Sequence, residues 1–351
     1  MTLVMRDGIA GSAVEAAVAA GAVPDASLRT LHRHLAAHLP ASVDWSRCAS
    51  GPPLELTSES PELPRLIEAE VIEGGSLRAV RVPGSPAAGF VAFLDGTQTS
   101  RVAWYDGGMP IVHGTVAAVI RVRKNRRMAT WRLHRSARVY APRRLLSTSM
   151  NAALSALEPA MPVVDTTAAE STDAPSVDHP FAVADAARHF VQRDRERMEQ
   201  ELAAQWCNVM SGPLFVDGGI GGSERTASQD CLAGVVKSHR TLYASGADLQ
   251  RVLRLDAGER STVFRITSAK RRTTVASWYL RLREWTSRDP MWGLVRVEMA
   301  EPRAATSAAI TERADEISRW VLAEVSPLAL PDGRWDKMVY GVRDCEEVLR
   351  S

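Results

Sequence analysis

The stretch Pro213-Leu-Phe-Val-Asp217-Gly-Gly-Ile-Gly-Gly-Ser223 decides how the rest of the chain is read. A short apolar run, Leu214 to Val216, ends in Asp217, and four glycines follow within five residues. That pattern is a buried strand opening onto a tight loop. It places Asp217 at the carboxyl end of the strand, where open α/β sheets carry their chemistry. An earlier stretch repeats the design: Gly89-Phe-Val-Ala-Phe-Leu-Asp95-Gly-Thr97 is an apolar run that delivers a second Asp-Gly. Asp-Gly is a common turn dipeptide, so a single copy says little. Two copies, each closing an apolar run, set carboxylates at two strand ends, the shortest description of a divalent-metal site.

The 351 residues, 45% apolar and 24% charged, have the composition of a soluble globular protein of one large or two ordinary domains. No apolar run approaches the roughly 20 residues that a bilayer requires. The start, Met1-Thr-Leu-Val-Met-Arg-Asp7, carries an acidic residue and lacks the order of a secretory signal, so no membrane partner is expected. Cys48, Cys207, Cys231 and Cys345 are far apart and form no C-x-x-C pair; neither a zinc site nor a disulfide framework is signalled, and a cytoplasmic location is expected. A formal net charge of +2 does not by itself mark an anionic partner. The basic residues nevertheless cluster, in Arg121–Arg127, Arg143-Arg144 and Lys270–Arg272. The first block reads either as a solvated turn or as a contact for a phosphate backbone.

Residues 1–74 read as an N-terminal helical region suited to docking a partner. An Ala-rich helix over Val14–Ala22 is stopped by Pro24, and a second helix sets Leu28, Leu31, Leu35 and Leu39 on one face. His32, His34 and His38 lie on it, with no acidic or sulfur ligand to complete a metal set, and read as helix-surface histidines. The main domain spans 75–351. Strands are expected at Arg78–Val82 and Gly89–Leu94. A long hairpin follows, from Val102–Tyr105 through Asp106-Gly-Gly to Pro110–Val122, and Thr130–Tyr140 makes a third meander strand. Residues 146–178, rich in Ala, Ser, Thr, Pro and Asp, read as a flexible insertion.

A helix over Ala182–Trp206 follows, with Ala187, Val191, Met198, Leu202 and Trp206 as its apolar stripe. Glu199 and Glu201 flank that stripe on opposite sides, and either can lean over a sheet edge. Next come the Asp217 strand and a strand over Cys231–His239 that ends in polar groups including Lys237. Strands at Thr262–Ile266, Thr274–Arg281 and Gly293–Glu298, and helices at Ala247–Leu255, Thr306–Glu324 and from Arg343, complete the chain.

An Asp-bearing strand, two more antiparallel strands, a helix with an inward glutamate and then an Asp at the end of the next strand is the layout of the ribonuclease-H-like fold. The expected fold class is therefore α/β, a mixed sheet flanked by helices. In that layout three carboxylates converge on one or two divalent ions that activate water for phosphodiester cleavage. Hard oxygen donors select Mg²⁺ or Mn²⁺ over zinc. The catalytic set expected here is Asp95, Asp217 and Glu199 or Glu201, with Lys237 placed to neutralise a phosphate. A dinucleotide-binding reading of the glycine loop fails. Glu224 occupies the place of the third glycine, and Asp217 would repel a pyrophosphate.

Val216-Asp217-Gly218, Leu232-Ala-Gly-Val-Val-Lys237-Ser, Leu94-Asp95-Gly-Thr97 and Val295-Arg-Val-Glu298 together resemble the NurA nucleases, over roughly residues 85–350. The resemblance implies an Mn²⁺-dependent (or Mg²⁺-dependent) nuclease acting on DNA, with 5′-to-3′ exonuclease and single-strand endonuclease activity. It also implies a homodimer working beside a HerA-type hexameric ATPase, in DNA end processing or antiphage defence. It gives Asp95 and Asp217 the roles of the family's metal-binding aspartates, and Glu199 or Glu201 that of its helical glutamate. One feature departs from the family: its histidine near the C-terminus, after a Tyr-Pro element, has no counterpart, since Gly341 follows Tyr340 and no histidine follows His239. Asp344 or Glu347 is the carboxylate expected in its place as a metal ligand. The same departure keeps open a second class, a non-catalytic DNA-binding adaptor. Glu298 and the tryptophans Trp278, Trp285 and Trp292 read as structural.

Overall fold

The computed structural model describes residues 27–39, 45–47, 64–68, 70–125, 127–168, 178–210, 212–268, 273–285, 288–301, 306–325 and 339–350. Four short strands come first, β1 (Trp45–Arg47), β2 (Arg65–Leu66), β3 (Glu70–Val71) and β4 (Ala79–Arg81). Three long ones follow, β5 (Ala92–Asp106), β6 (Met109–Lys124) and β7 (Arg127–Ala141), and then β8 (Val163–Asp165). The later strands are β9 (Leu214–Asp217), β10 (Leu232–Val236), β11 (Thr241–Leu242), β12 (Glu259–Ser261), β13 (Phe264–Ser268), β14 (Thr273–Arg281) and β15 (Leu294–Ala300). The helices are α1 (Leu28–His38), α2 (Thr148–Leu157), α3 (Pro180–Val209), α4 (Glu224–Ala227), α5 (Gly246–Leu253), α6 (Ser307–Glu324) and α7 (Tyr340–Arg350).

Strand order settles the fold class. Neighbouring strands run β7-β6-β5-β9-β10-β15-β14-β13. β5 pairs in parallel with β9, with Ala92 opposite Leu214 and Leu94 opposite Val216. β9 pairs in parallel with β10, from Leu214–Leu232 to Asp217–Val235, and β10 runs antiparallel to β15. A three-strand meander, a crossover helix and two parallel strands laid on the other edge of the first strand make the fold ribonuclease-H-like, as the sequence predicts.

One expected boundary moves. Ala92–Leu94 of the first expected strand and Val102–Tyr105 are not separate but parts of β5, so Asp95 sits inside a strand and not at its end. Gly96 continues the strand, and the chain turns only at Gly107-Gly108, whose φ values of +55° and +83° suit glycine.

The chain divides into two compact units, one of residues 1–58, 97–118 and 131–197 and one of residues 59–96, 119–130 and 198–351. In the first, Leu31 and Leu35 of α1 are fully buried with Trp104, Ile111, Val139 and the α2 residues Met150, Leu154 and Leu157. α1 is thus part of a core and not a satellite, and the Ser27 side chain caps it by accepting from the Thr30 N–H. Its histidines have structural partners: His32 Nε2 lies 3.0 Å from the Ala103 carbonyl and His34 Nε2 lies 3.1 Å from that of Ala153. The helix expected at Val14–Ala22 lies outside the described residues.

The segment 146–178, expected as a flexible insertion, carries α2 and β8 in its described part, and β8 pairs in parallel with Val139–Ala141. Its small residues hide a stripe, Met150, Ala153, Leu154 and Leu157, that α2 buries completely or nearly so. Ser147 caps α2, and its own N–H and hydroxyl donate to the buried Asp106 carboxylate.

In the second unit the aromatic core lies under β5 and β9. Phe90 meets Phe215 edge-on at 5.2 Å and Trp320 of α6 at 5.5 Å, and Phe93 packs 5.8 Å from Phe215. Cys207, near the end of α3, and Cys231, just before β10, form a disulfide with their Cα atoms 6.3 Å apart. The sequence alone signals no such bond, because the two are separated by 24 residues and meet only in the folded chain. Closing a loop of that length contributes about 3 kcal/mol by chain entropy. Replacing both cysteines by serine is therefore expected to lower the unfolding free energy by about that amount in non-reducing denaturant titrations. Dithiothreitol should bring the wild type down to the same value.

Candidate active site

The site begins with strand alternation. Side chains two apart on a strand share a face. Asp95 therefore continues the face of Phe93, and Asp217 that of Phe215. The parallel register that stacks the two rings sets the two carboxylates on adjacent strands one pleat further on. Asp95 Oδ1 accepts the N–H of Gly96 at 2.8 Å. Asp217 Oδ2 accepts from Lys237 Nζ at 2.8 Å; Lys237 lies just past β10, whose register aligns Val235 with Asp217. Both partners of that ion pair are largely shielded from solvent.

α3 brings the third carboxylate. A Cβ on Gly96 would sit 2.1 Å from Glu199 Oε1, so the missing side chain at Gly96 leaves room for Glu199, whose charge acts on Asp95. Of the two candidate glutamates, Glu199 is the one whose charge acts on Asp95. Glu201, on the other flank of the stripe, is exposed.

Burial pushes the Asp95 carboxyl up to about 7, and the like charges of Asp217 and Glu199 push the same way; Lys237 and the Gly96 N–H pull against them. Two like charges thus act on a shielded carboxyl, and a divalent cation is the kind of group that relieves such repulsion. The donors are hard oxygens and suit Mg²⁺ or Mn²⁺. Among the described residues no three His, Cys, Asp or Glu side chains already stand in a metal-holding cluster. The carboxylates act on one another's charge without being drawn together around a point.

The structure does not bring Asp344 into this group. Its carboxylate is held by the Arg121 guanidinium, which also donates to Thr130 Oγ1 and the Met128 carbonyl. Asp344 thus anchors α7 to β6, and Glu347 pairs with Arg343 on the same helix. Two members of the basic block are engaged within the chain in this way. Arg123 forks onto Glu324 of α6 and lies 4.8 Å over the Phe93 ring, so these two arginines are tethers for helices, whereas Lys124 and Arg127 are exposed and Arg126 and Lys270–Arg272 lie outside the described residues. Trp278 is core, with its Nε1 donating to Ser318, and Trp285 and Trp292 lie under the guanidinium groups of Arg281 and Arg288. Sequence reasoning missed the role of Gly96. The signal was present as a glycine directly after an in-strand Asp, but it reads equally as a turn.

No family model matches the sequence, and no curated protein does. Solved structures do resemble the fold. The NurA nuclease from Sulfolobus solfataricus is similar over 80% of this chain and 81% of its own, with a TM-score of 0.43 and 9% identity. The catalytic domain of human endonuclease V is similar over 92% of this chain and 94% of its own, with a TM-score of 0.30 and 13% identity. No helix among the described residues is long and apolar enough to cross a membrane.

Asp95 supplies a pH test. Its folded-state pKa of about 7 lies above the 3.8 of an unperturbed Asp, so between those values the folded chain binds more protons than the unfolded one. Stability from this group is complete below about pH 4 and is lost as pH rises through about 7. In metal-free thermal melts the wild type should lose stability across that window, and Asp95→Asn should flatten the loss.

Proposed function

We propose that this protein is a metal-dependent DNA nuclease that hydrolyses phosphodiester bonds at Asp95, Asp217 and Glu199. The supporting observation is that Asp217 and Glu199 both act as like charges on the Asp95 carboxyl, on a ribonuclease-H-like sheet. Asp95, Asp217 and Glu199 would hold Mn²⁺ or Mg²⁺, which when bound supplies a water of lowered pKa and steadies the leaving oxygen. The rest is done by the chain itself. The parallel register of β5 and β9 presents the two aspartates from rigid strands, and α3 delivers Glu199 across Gly96. Asp95 keeps a proton near neutral pH and gives it up as positive charge enters the site. Lys237 neutralises Asp217 at rest and offers its ammonium to a substrate phosphate oxygen.

The resemblance of the Asp95, Asp217, Lys237 and Glu298 motifs to NurA nucleases supports DNA as the substrate. By the same resemblance we propose a homodimer acting with a HerA-type hexameric ATPase in DNA end processing or antiphage defence. A second reading, a non-catalytic DNA-binding adaptor, is favoured by one feature: Asp344, the carboxylate that would replace the family's C-terminal histidine, is held by Arg121 instead.

Labelled linear and single-stranded DNA, incubated with Mn²⁺, Mg²⁺ or EDTA, tests the proposal. Wild type should cleave with Mn²⁺ and not with EDTA, and Asp217→Ala should lose about 100-fold or more, the scale on which one charge-stabilising group acts. Absent cleavage, with DNA binding unaffected by Asp217→Ala, would favour the adaptor. Gly96→Ala gives a finer test of Glu199. The new methyl displaces only the end of a flexible side chain, so the melting temperature should hold within a few degrees while cleavage falls as far as in Glu199→Gln.

A further inference from the structure

The glycine loop after Asp217 is gripped by a carboxylate from another strand. Glu298 on β15 pairs across the sheet with Gly234 of β10. At Gly234 the loop folds back over the sheet so closely that a Cβ there would lie 2.7 Å from the Gly218 carbonyl oxygen and 3.1 Å from the Ile220 nitrogen. Glu298 reaches across this gap. Its Oε2 accepts the N–H of Ile220 at 2.8 Å and that of Gly221 at 3.3 Å, and its Oε1 accepts from Arg296. The side chain is 6% exposed. The loop's carbonyls are taken up as well, that of Ile220 by Thr226 Oγ1 at 2.6 Å and that of Gly221 by Thr273 Oγ1 at 2.8 Å. Gly218, with a φ of +131°, donates its N–H to the Val235 carbonyl at 3.0 Å, so the peptide directly after Asp217 is pinned from the same side.

We infer that Glu298 is a positioning residue for the carboxylate group, acting through the Gly218–Gly222 loop. Two consecutive N–H groups, that of Ile220 buried and that of Gly221 partly so, converge on one oxygen, and no apolar side chain can satisfy them. With that oxygen in place the loop has one conformation. Asp217, whose backbone runs into it, keeps its carboxylate within reach of Lys237 and on the face of Asp95. Without it the loop loses its anchor over Gly234 and Asp217 its fixed direction. The inference rests on the nuclease reading for its consequence, and on the hydrogen bonds of Glu298 for its mechanism.

The test uses the full chain with Glu298→Ala and Glu298→Gln. Three readouts are needed: hydrogen exchange of peptides covering 218–222, Mn²⁺ titration calorimetry without DNA, and steady-state DNA cleavage. Circular dichroism checks that each variant is folded. Glu298→Ala should speed loop exchange at least tenfold and weaken Mn²⁺ binding about tenfold or more, as lost outer-shell support does. It should lower kcat while leaving KM for DNA within about twofold, since substrate contacts elsewhere are untouched. In Glu298→Gln the amide oxygen still accepts from Ile220 and Gly221, so loop protection and most of the Mn²⁺ affinity should return. Wild-type exchange and Mn²⁺ affinity in Glu298→Ala would overturn the inference. So would a Glu298→Gln variant with a protected loop but Mn²⁺ binding as weak as the alanine variant's, which would assign the carboxylate a direct charge role. A wild type that neither binds Mn²⁺ nor cleaves sinks the nuclease reading separately, and loop exchange then decides the positioning claim alone.

Discussion

Parallel pairing of Ala92–Leu94 with Leu214–Val216 forces two carboxylates, Asp95 and Asp217, onto adjacent strands, and much of the second unit is arranged to tolerate their repulsion. The pairing itself is secured below the site, where Phe90, Phe93, Phe215 and Trp320 interlock. Each such ring contributes about 1.5–3 kcal/mol by leaving water, which far exceeds what an exposed ion pair returns. Apolar packing therefore holds the strands together, and electrostatics only adjusts the site above them. Lys237 offsets part of the charge, the Gly96 N–H another part, and a proton retained on Asp95 relieves more.

Most of the strong charges near the site are engaged in architecture. Arg121 and Arg123, two residues apart on β6, each hold a different C-terminal helix through Asp344 and Glu324. Farther out, Arg260 is completely buried between Glu73 and Asp315, and the Glu73 carboxylate also takes the Val263 N–H and the Thr311 hydroxyl. The guanidinium beside it helps to hold Glu73 below the usual carboxylate range despite burial. Breaking one arm of such a group leaves an uncompensated charge in the interior, which is why these pairs tie distant segments together firmly. A run of arginines in a sequence thus carries no assignment until its partners are known. Here the partners are carboxylates of the same chain.

The sequence by itself determined the strand that opens onto the glycine loop, the order meander, helix, parallel strand, and the two aspartates of the candidate site. Those features are local: apolar runs, periodicity and turn residues show wherever the chain must bury one face and expose another. The tertiary structure alone decided the rest. It merged two expected strands into β5 and so moved Asp95 from a strand end to a strand interior. It set Glu199 against Gly96, tied Asp344 to Arg121, joined Cys207 to Cys231 and ordered α2 within an apparent linker. Each of those outcomes depends on which residues far apart in the chain come to face one another, and local pattern records the period of a segment but not its partner.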